Sequence, residues 1–310
     1  MRVAAILGLG SSAKDLKPFE RTSNALWQLG LPASPTDADA VLILGGDGTV
    51  HRHLPELVKL QLPVLVVPRG SGNDFARALG LRNVDDALAA WRQFSSSAQP
   101  GRSNLRRIDL GVISPASSSG TAGTGPSRPR EHYFCCVGGI GLDAEIARHA
   151  NRLPPFLRRR GGYPLSLLPA LFGFQPLEVR VQSPNDRSEW DIDHDGPAMV
   201  VAFANTPNYG GGIRIAPGAR LDDGKLEICV VEAMAKMRLL RLFPSVYSGS
   251  HLKIREVKYF QAERLRIETE NPSAVYADGE YVCQTPIEVT VEPAALQVIV
   301  TRDASSLKGR

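Results

Sequence analysis

An α/β half followed by a mainly β half is the architecture this sequence predicts, on three observations. Apolar runs without polar alternation, at 3–7, 41–44 and 64–67, alternate with helix-period segments through the first hundred residues. The second and third of these runs each stop in a glycine-bearing turn, at Gly45-Gly46 and at Pro68 and Gly70. Beyond residue 105, short β patterns recur with turn residues between them. Continuous apolar runs suit strands buried on both faces of a parallel, doubly wound sheet. Short strands punctuated by turns suit an antiparallel sandwich or barrel. The predicted division is 1–104 for the first domain and 105–310 for the second, with the last residues free to return to the first.

The elements follow in order. Residues 3–7 read as a strand and 14–29 as a helix ended by Gly30. After the strand at 41–44, residues 51–60 have helical spacing, and 74–79 and 84–94 follow the strand at 64–67 as further helices. Strands are expected at 105–113 and 133–137, flanking a Ser/Gly/Pro/Ala-rich loop over 114–130 that can bury little. Further strands are expected at 177–181, 198–204, 226–231, 255–260, 265–269, 287–291 and 296–301. One helix over 234–247 interrupts them, with Pro244 kinking or ending it.

Composition narrows the function classes. The chain has 310 residues, 43% hydrophobic and 22% charged, enough for two domains of ordinary size. A net charge of +4, with no long Lys/Arg run or basic-aromatic stripe, gives no nucleic-acid signature by itself. The four cysteines, Cys135, Cys136, Cys229 and Cys283, form no CxxC pair and no zinc-spaced cluster with histidine, and read as reduced thiols of a cytosolic protein. The apolar core at 3–7 is too short for a signal peptide. No apolar run approaches the roughly 20 residues needed to span a bilayer, so membrane contact is expected to be peripheral.

Four motifs carry chemistry. Gly45-Gly46-Asp47-Gly48-Thr49 lies directly after a buried strand and before a helix. There the helix start offers unbonded N–H groups and a positive dipole end to phosphate, and glycine lets the backbone approach. Asp47 would reach toward a metal or the nucleotide, and Thr49 toward a phosphate oxygen. A tight strand–helix turn capped by Thr49 is the plain reading, equally open on this motif alone. The second loop, Gly70-Ser71-Gly72-Asn73-Asp74, also ends a strand. Two such turns on neighbouring strands converge where open α/β sheets bind ligands; Asn73 or Asp74 would also cap the helix that follows. Asp278 and Glu280 stand two apart, so on extended chain both project to one side, while Asp278-Gly279 equally suits a hairpin turn. In Arg220-Leu221-Asp222-Asp223-Gly224-Lys225, adjacent acids before glycine offer oxygen ligands to a hard cation or form a solvated turn.

In this order the motifs resemble the diacylglycerol kinase catalytic family, which includes the sphingosine kinases and soluble bacterial lipid kinases. The matching stretches are GGDGT at 45–49, GSGNDFAR at 70–77, IDLG at 108–111, Asn205-Thr206 through Gly210-Gly211-Gly212, ARLDDGKLE at 219–227 and DGE at 278–280. The resemblance implies an NAD-kinase-like α/β nucleotide domain followed by a β-sandwich. It implies that the residues of the first two motifs contact ATP, that Glu280, with Asp278, draws the proton from a lipid hydroxyl, and that Mg2+ is the cofactor. Asp47 and Asp109 would belong to an acid–water–magnesium network. Asp223, with the carbonyls of Arg220 and Lys225, would form a structural magnesium site. A cytoplasmic enzyme, peripheral at the inner membrane face, acting on diacylglycerol or a similar lipid, is the implied whole; the resemblance admits a homodimer.

The chain departs from that family at its amino end. Ile6 through Ser12 stands where members carry an NPxxG-type loop, and the approach to Gly45 is short by about one βα unit. An NAD kinase, or a non-catalytic lipid or nucleotide binder, are the competing readings; the GNDFAR stretch and the late DGE argue against the first, and the retained Asp47, Asp74, Asp278 and Glu280 against the second. Arg158-Arg159-Arg160 before the apolar segment 163–172 is a candidate membrane-docking element, or an ordinary core helix with a solvated basic start.

Overall fold

A computed structural model describes residues 1–96, 104–116, 131–154 and 162–301. Of the loop predicted over 114–130, residues 114 and 115 instead end a strand, and 117–130 lie outside the described residues, as does the basic cluster Arg158-Arg159-Arg160. The chain forms two compact units, one of Met1–Asp109 with the chain from Pro293 onward, the other of Leu110–Glu292.

The first unit is built on a parallel sheet. Strand β1 (Arg2–Leu7) pairs on one side with β2 (Leu26–Leu29) and on the other with β3 (Ala40–Gly45), which pairs with β4 (Val64–Pro68). The end of the last strand, β15 (Ile287–Ile299), joins β4 in parallel at Val298. Every residue of β3 and β4 is buried, because helices cover both faces. Helix α2 (Asp47–Leu60) buries Val50, Leu54, Leu57 and Leu60, the stripe its spacing predicts. Helices α3 (Asp74–Ala78) and α4 (Val84–Ser96) complete the cover, α4 through Ala87, Ala90, Trp91 and Phe94.

The helix expected over 14–29 is corrected. Helix α1 covers only Ala13–Glu20, with Pro18 inside it, and the chain then turns to run as β2 beside β1. A proline removes a donor and crowds the preceding turn, and β1 offers an edge that Leu26–Leu29 occupies; tertiary pairing outweighs the helical pattern.

The second unit is antiparallel. Its long strand β9 (Trp190–Ala204) pairs with β7 (Val137–Gly141), β8 (Leu177–Pro184) and β10 (Leu226–Glu232). Strand β11 (Val257–Ala262) extends β10, while β12 (Arg264–Thr269) bridges β8 and the first part of β15. Strand β13 (Ala274–Ala277) pairs with β7 and with β14 (Glu280–Gln284), and β5 (Leu105–Pro115) pairs with β6 (His132–Phe134). One core gathers Phe134, Val201, Phe203, Ile228, Leu265 and Ile287.

A second core joins α5 (Leu142–Arg152), α6 (Gly162–Gly173) and α7 (Lys236–Leu242). The helix expected over 234–247 divides into α7 and α8 (Ser245–Ser248) around Pro244. The single strand expected over 133–137 breaks at Cys135 and Cys136 into β6 and β7, and the two expected at 287–291 and 296–301 are one strand whose Ala294 takes a left-handed conformation. Among the described residues no helix is long and apolar enough to cross a membrane.

Candidate functional site

In the first unit the two glycine turns touch. The Arg69 N–H donates to the Gly45 carbonyl at 3.0 Å. A Cβ added at Gly46 would lie 2.8 Å from Gly70 Cα, so the backbones approach at a distance only glycine allows. Gly46, extended, is the N-cap of α2, and Asp47, Gly48 and Thr49 form its first turn. Thr49 is therefore not the cap. Its hydroxyl lies over Gly45, where an added Cβ would fall 2.6 Å from Oγ1.

Asp47 reaches across to the second turn. Its carboxylate accepts from the N–H groups of Asp74 and Phe75, each at 3.1 Å, and so caps the start of α3. Asn73, left-handed at φ 56°, turns its side chain back onto Gly70, accepting from the Gly70 N–H at 2.7 Å and donating to its carbonyl at 2.8 Å. Asp74 is buried beside Arg77, whose guanidinium is 3.4 Å away, while Ser71 is exposed. Asp109 accepts from the Ala294 N–H at 2.8 Å and so ties β5 to the left-handed bend in β15.

In the second unit, Asp278 and Gly279 both have positive φ, 51° and 84°, and form the two-residue turn between β13 and β14. The extended geometry expected for 278–280 is thus absent. Asp278 turns inward, its oxygens accepting from the N–H groups of Cys135 at 2.9 Å and Cys136 at 2.8 Å. Glu280, the first residue of β14, is exposed. Asp223 stands in the turn before β10 and accepts from the Lys225 N–H at 3.2 Å, with Gly224 left-handed at φ 71° and Arg220 3.7 Å from Asp222. A carboxylate flanked by turn carbonyls is an all-oxygen donor set, the kind a hard cation such as magnesium takes.

The sequence reading missed a cavity in the second unit. A space of about 80 Å³ lies among Leu142, Ile146, Leu167, Val200, Leu239 and Phe243, and its wall also carries Asp143, Tyr209, Ser245 and His251. The Tyr209 hydroxyl donates to Asp143 Oδ1 at 2.6 Å. Burial pushes the Asp143 carboxyl up to about 6, less far than burial alone would because Tyr209 donates to it. Burial and the adjacent carboxyl push the Tyr209 phenol well above its ordinary value. A signal was present in the sequence: Asp143 shares the 143, 146, 147, 150 stripe with Ile146, Ala147 and Ala150, an acid on the buried face of an amphipathic helix.

Comparison with known proteins agrees with this architecture. Residues 22–111 match the model described as the diacylglycerol kinase catalytic domain, and residues 137–300 match the YegS C-terminal NAD kinase beta sandwich-like domain. A diacylglycerol kinase of Mycobacterium tuberculosis is 33% identical over 271 residues, covering 85% of this chain and 77% of that protein. A Bacillus subtilis diacylglycerol kinase is 25% identical over 261 residues, covering 83% and 76%. Among solved structures, a diacylglycerol kinase from Bacillus anthracis superposes with a TM-score of 0.64 at 17% identity, covering 98% of each chain. An NAD kinase from Archaeoglobus fulgidus in complex with ATP superposes at 0.52 and 12% identity, covering 98% of this chain and 95% of that one. With an α/β unit bearing paired glycine turns and an antiparallel sandwich unit bearing an apolar cavity, the chain belongs to the diacylglycerol kinase catalytic-domain family, in its YegS-like lipid kinase form.

Proposed function

We propose that this protein transfers the terminal phosphoryl group of ATP to the hydroxyl of a diacylglycerol-like lipid, with magnesium. The observation that carries the lipid assignment is the cavity inside the second unit, walled mainly by apolar side chains and carrying the buried Asp143–Tyr209 carboxyl–phenol pair. Acyl chain suits its walls, and Asp143 with Tyr209 would hydrogen-bond the polar end of the lipid. The names of the mycobacterial and bacillar relatives support the same substrate class.

The chain's own groups would act as follows. The N–H groups at the start of α2 bind phosphate, and the contact of the two glycine turns, held by Asp47, gives that cradle its shape. Asp74 and Ser71 stand on the second turn as further nucleotide contacts. Glu280 accepts the proton of the lipid hydroxyl, and Asp278 positions the turn that carries it by gripping the N–H groups at 135 and 136. Asp223, with the carbonyls of Arg220 and Lys225, would hold a structural magnesium, and Asp109 with Asp47 would face the catalytic one. Magnesium, when bound, neutralises phosphate charge.

Peripheral docking fits the cavity's setting. Helix α6 exposes Leu165, Leu168 and Phe172, at 54%, 49% and 58%, while Leu167, at 5%, lines the cavity. Lys236 of α7 donates to the Phe172 carbonyl at 2.8 Å, and the exposed Met237, Arg238 and Arg241 follow on α7. Apolar residues beside cations suit an anionic leaflet.

Four outcomes are expected. Gly70→Ala should weaken ATP binding by about tenfold or more, or about 1.4 kcal/mol, in calorimetric titration; an unchanged affinity removes the paired turns from the nucleotide site. Glu280→Gln should lower kcat at least about 100-fold with ATP affinity nearly unchanged, in a radiolabelled ATP assay with dispersed diacylglycerol; a full rate would exclude Glu280 as the base. Replacing Leu168 and Phe172 with Glu should reduce co-sedimentation with anionic vesicles, and undiminished binding counts against docking through α6. Finally, the Asp143 carboxyl is raised from 3.8 to about 6, so the native state holds a proton that the unfolded chain gives up. The stability linked to that proton is full below about pH 4 and is lost as pH rises through about 6, about 3 kcal/mol in all. Urea unfolding of Asp143→Asn should lack this fall, so its midpoint gains on wild type between those pH values; parallel profiles would show that Asp143 does not titrate as a buried carboxyl.

A further inference from the structure

Away from the glycine turns and the cavity, the described residues hold one cluster of three metal-ligating side chains. Cys135 and Cys136 occupy the bend between β6 and β7. On a regular strand, adjacent side chains would face opposite sides of the sheet. The bend instead brings the two Sγ atoms to 3.9 Å. Cys135 Sγ lies 3.4 Å from Asp278 Oδ2, and one ligand atom from each of the three residues lies within 4.8 Å of the others. The two thiols are buried, and Asp278 is part-exposed.

We propose that Cys135, Cys136 and Asp278 bind a thiophilic divalent cation of the zinc type. Zinc–sulfur bonds of about 2.3 Å and a zinc–oxygen bond of about 2.1 Å, set at tetrahedral angles, separate two sulfurs by about 3.8 Å and a sulfur from an oxygen by about 3.6 Å. The Cys135–Cys136 pair at 3.9 Å and the Cys135–Asp278 pair at 3.4 Å already stand close to those separations, with the third pair inside 4.8 Å. Its supporting hydrogen bonds are also in place. Both Asp278 oxygens accept backbone N–H groups, the Cys136 carbonyl accepts from the N–H groups of Asn205 at 2.8 Å and Thr206 at 3.2 Å, and the Cys135 carbonyl accepts from Asn205 Nδ2 at 3.2 Å. Partners of this kind orient ligands and hold their geometry. As the two sulfur–metal bonds form, the two thiol protons leave to solvent, and a water completes the fourth position. Two sulfurs among three ligands select against magnesium, which takes oxygen. This cluster is therefore chemically distinct from the all-oxygen turn at Asp223, and it stands whether or not the phosphoryl-transfer reading holds.

The test uses the whole protein, reduced and stripped with a chelator. Zinc should bind at one ion per chain in excess magnesium, and X-ray absorption of the zinc-loaded protein should show two sulfur neighbours together with oxygen. Cadmium should raise a thiolate charge-transfer band in the ultraviolet. Cys136→Ser should lower zinc affinity at least about tenfold and diminish that band, whereas Cys283→Ser should leave both unchanged. A first shell without sulfur, no zinc uptake, or an undiminished band in Cys136→Ser would each overturn the site. The X-ray absorption measurement needs no variant, so a misfolded Cys136→Ser leaves the decision intact.

Discussion

The contact between Gly46 and Gly70 is what the arrangement of the first unit's two turns rests on. Two strand ends side by side in a parallel sheet normally carry their turns apart, because side chains hold the backbones away from each other. Here neither turn carries a Cβ at the meeting point, and the Arg69 N–H bonds the Gly45 carbonyl across it. Asp47 then reaches over the contact to the first N–H groups of α3. One carboxylate thereby leaves the start of α2 and caps the start of α3, and two helix N-termini are held around a single place.

The same device recurs elsewhere in the chain. Asp278 grips the N–H groups of Cys135 and Cys136, and Asp109 grips that of Ala294. Each acid belongs to a motif that sequence reading assigns to catalysis or metal binding, and each also ties its segment to a distant backbone. Hydrogen bonds from N–H to an ionised carboxylate are short and stronger than neutral ones, so they suit this holding role. A residue can position a site and take part in it; for Asp278 the hydrogen bonds on show are those of positioning.

The second unit sets a different balance. Its strands carry one core, and α5, α6 and α7 enclose a second that is not filled. An acid on the wall of such a space is costly to ionise, and its raised carboxyl registers that cost. The phenol of Tyr209 gives the acid a partner inside a mainly apolar wall that also carries Ser245 and His251.

Much of this was legible in the residues themselves. Continuous apolar runs ending in glycine at 45 and 70 declare buried parallel strands with closely approaching turns, because only glycine tolerates such approach and only two-sided burial removes polar alternation. The later β patterns declare an antiparallel unit for the same local reasons. What lay beyond reach depended on partners far along the chain. The run at 26–29 has helical spacing and became a strand because β1 offered an edge. The acids at 278 and 280 parted because a left-handed turn between them aimed one inward. The two cysteines at 135 and 136 came together because their strand broke there, and the cavity exists because helix residues meet Val200, Tyr209 and Val231 from distant parts of the chain. Local chemistry determined the elements and the turns; long-range packing alone decided where each carboxylate and thiol points, since direction is set by the neighbour that receives the hydrogen bond.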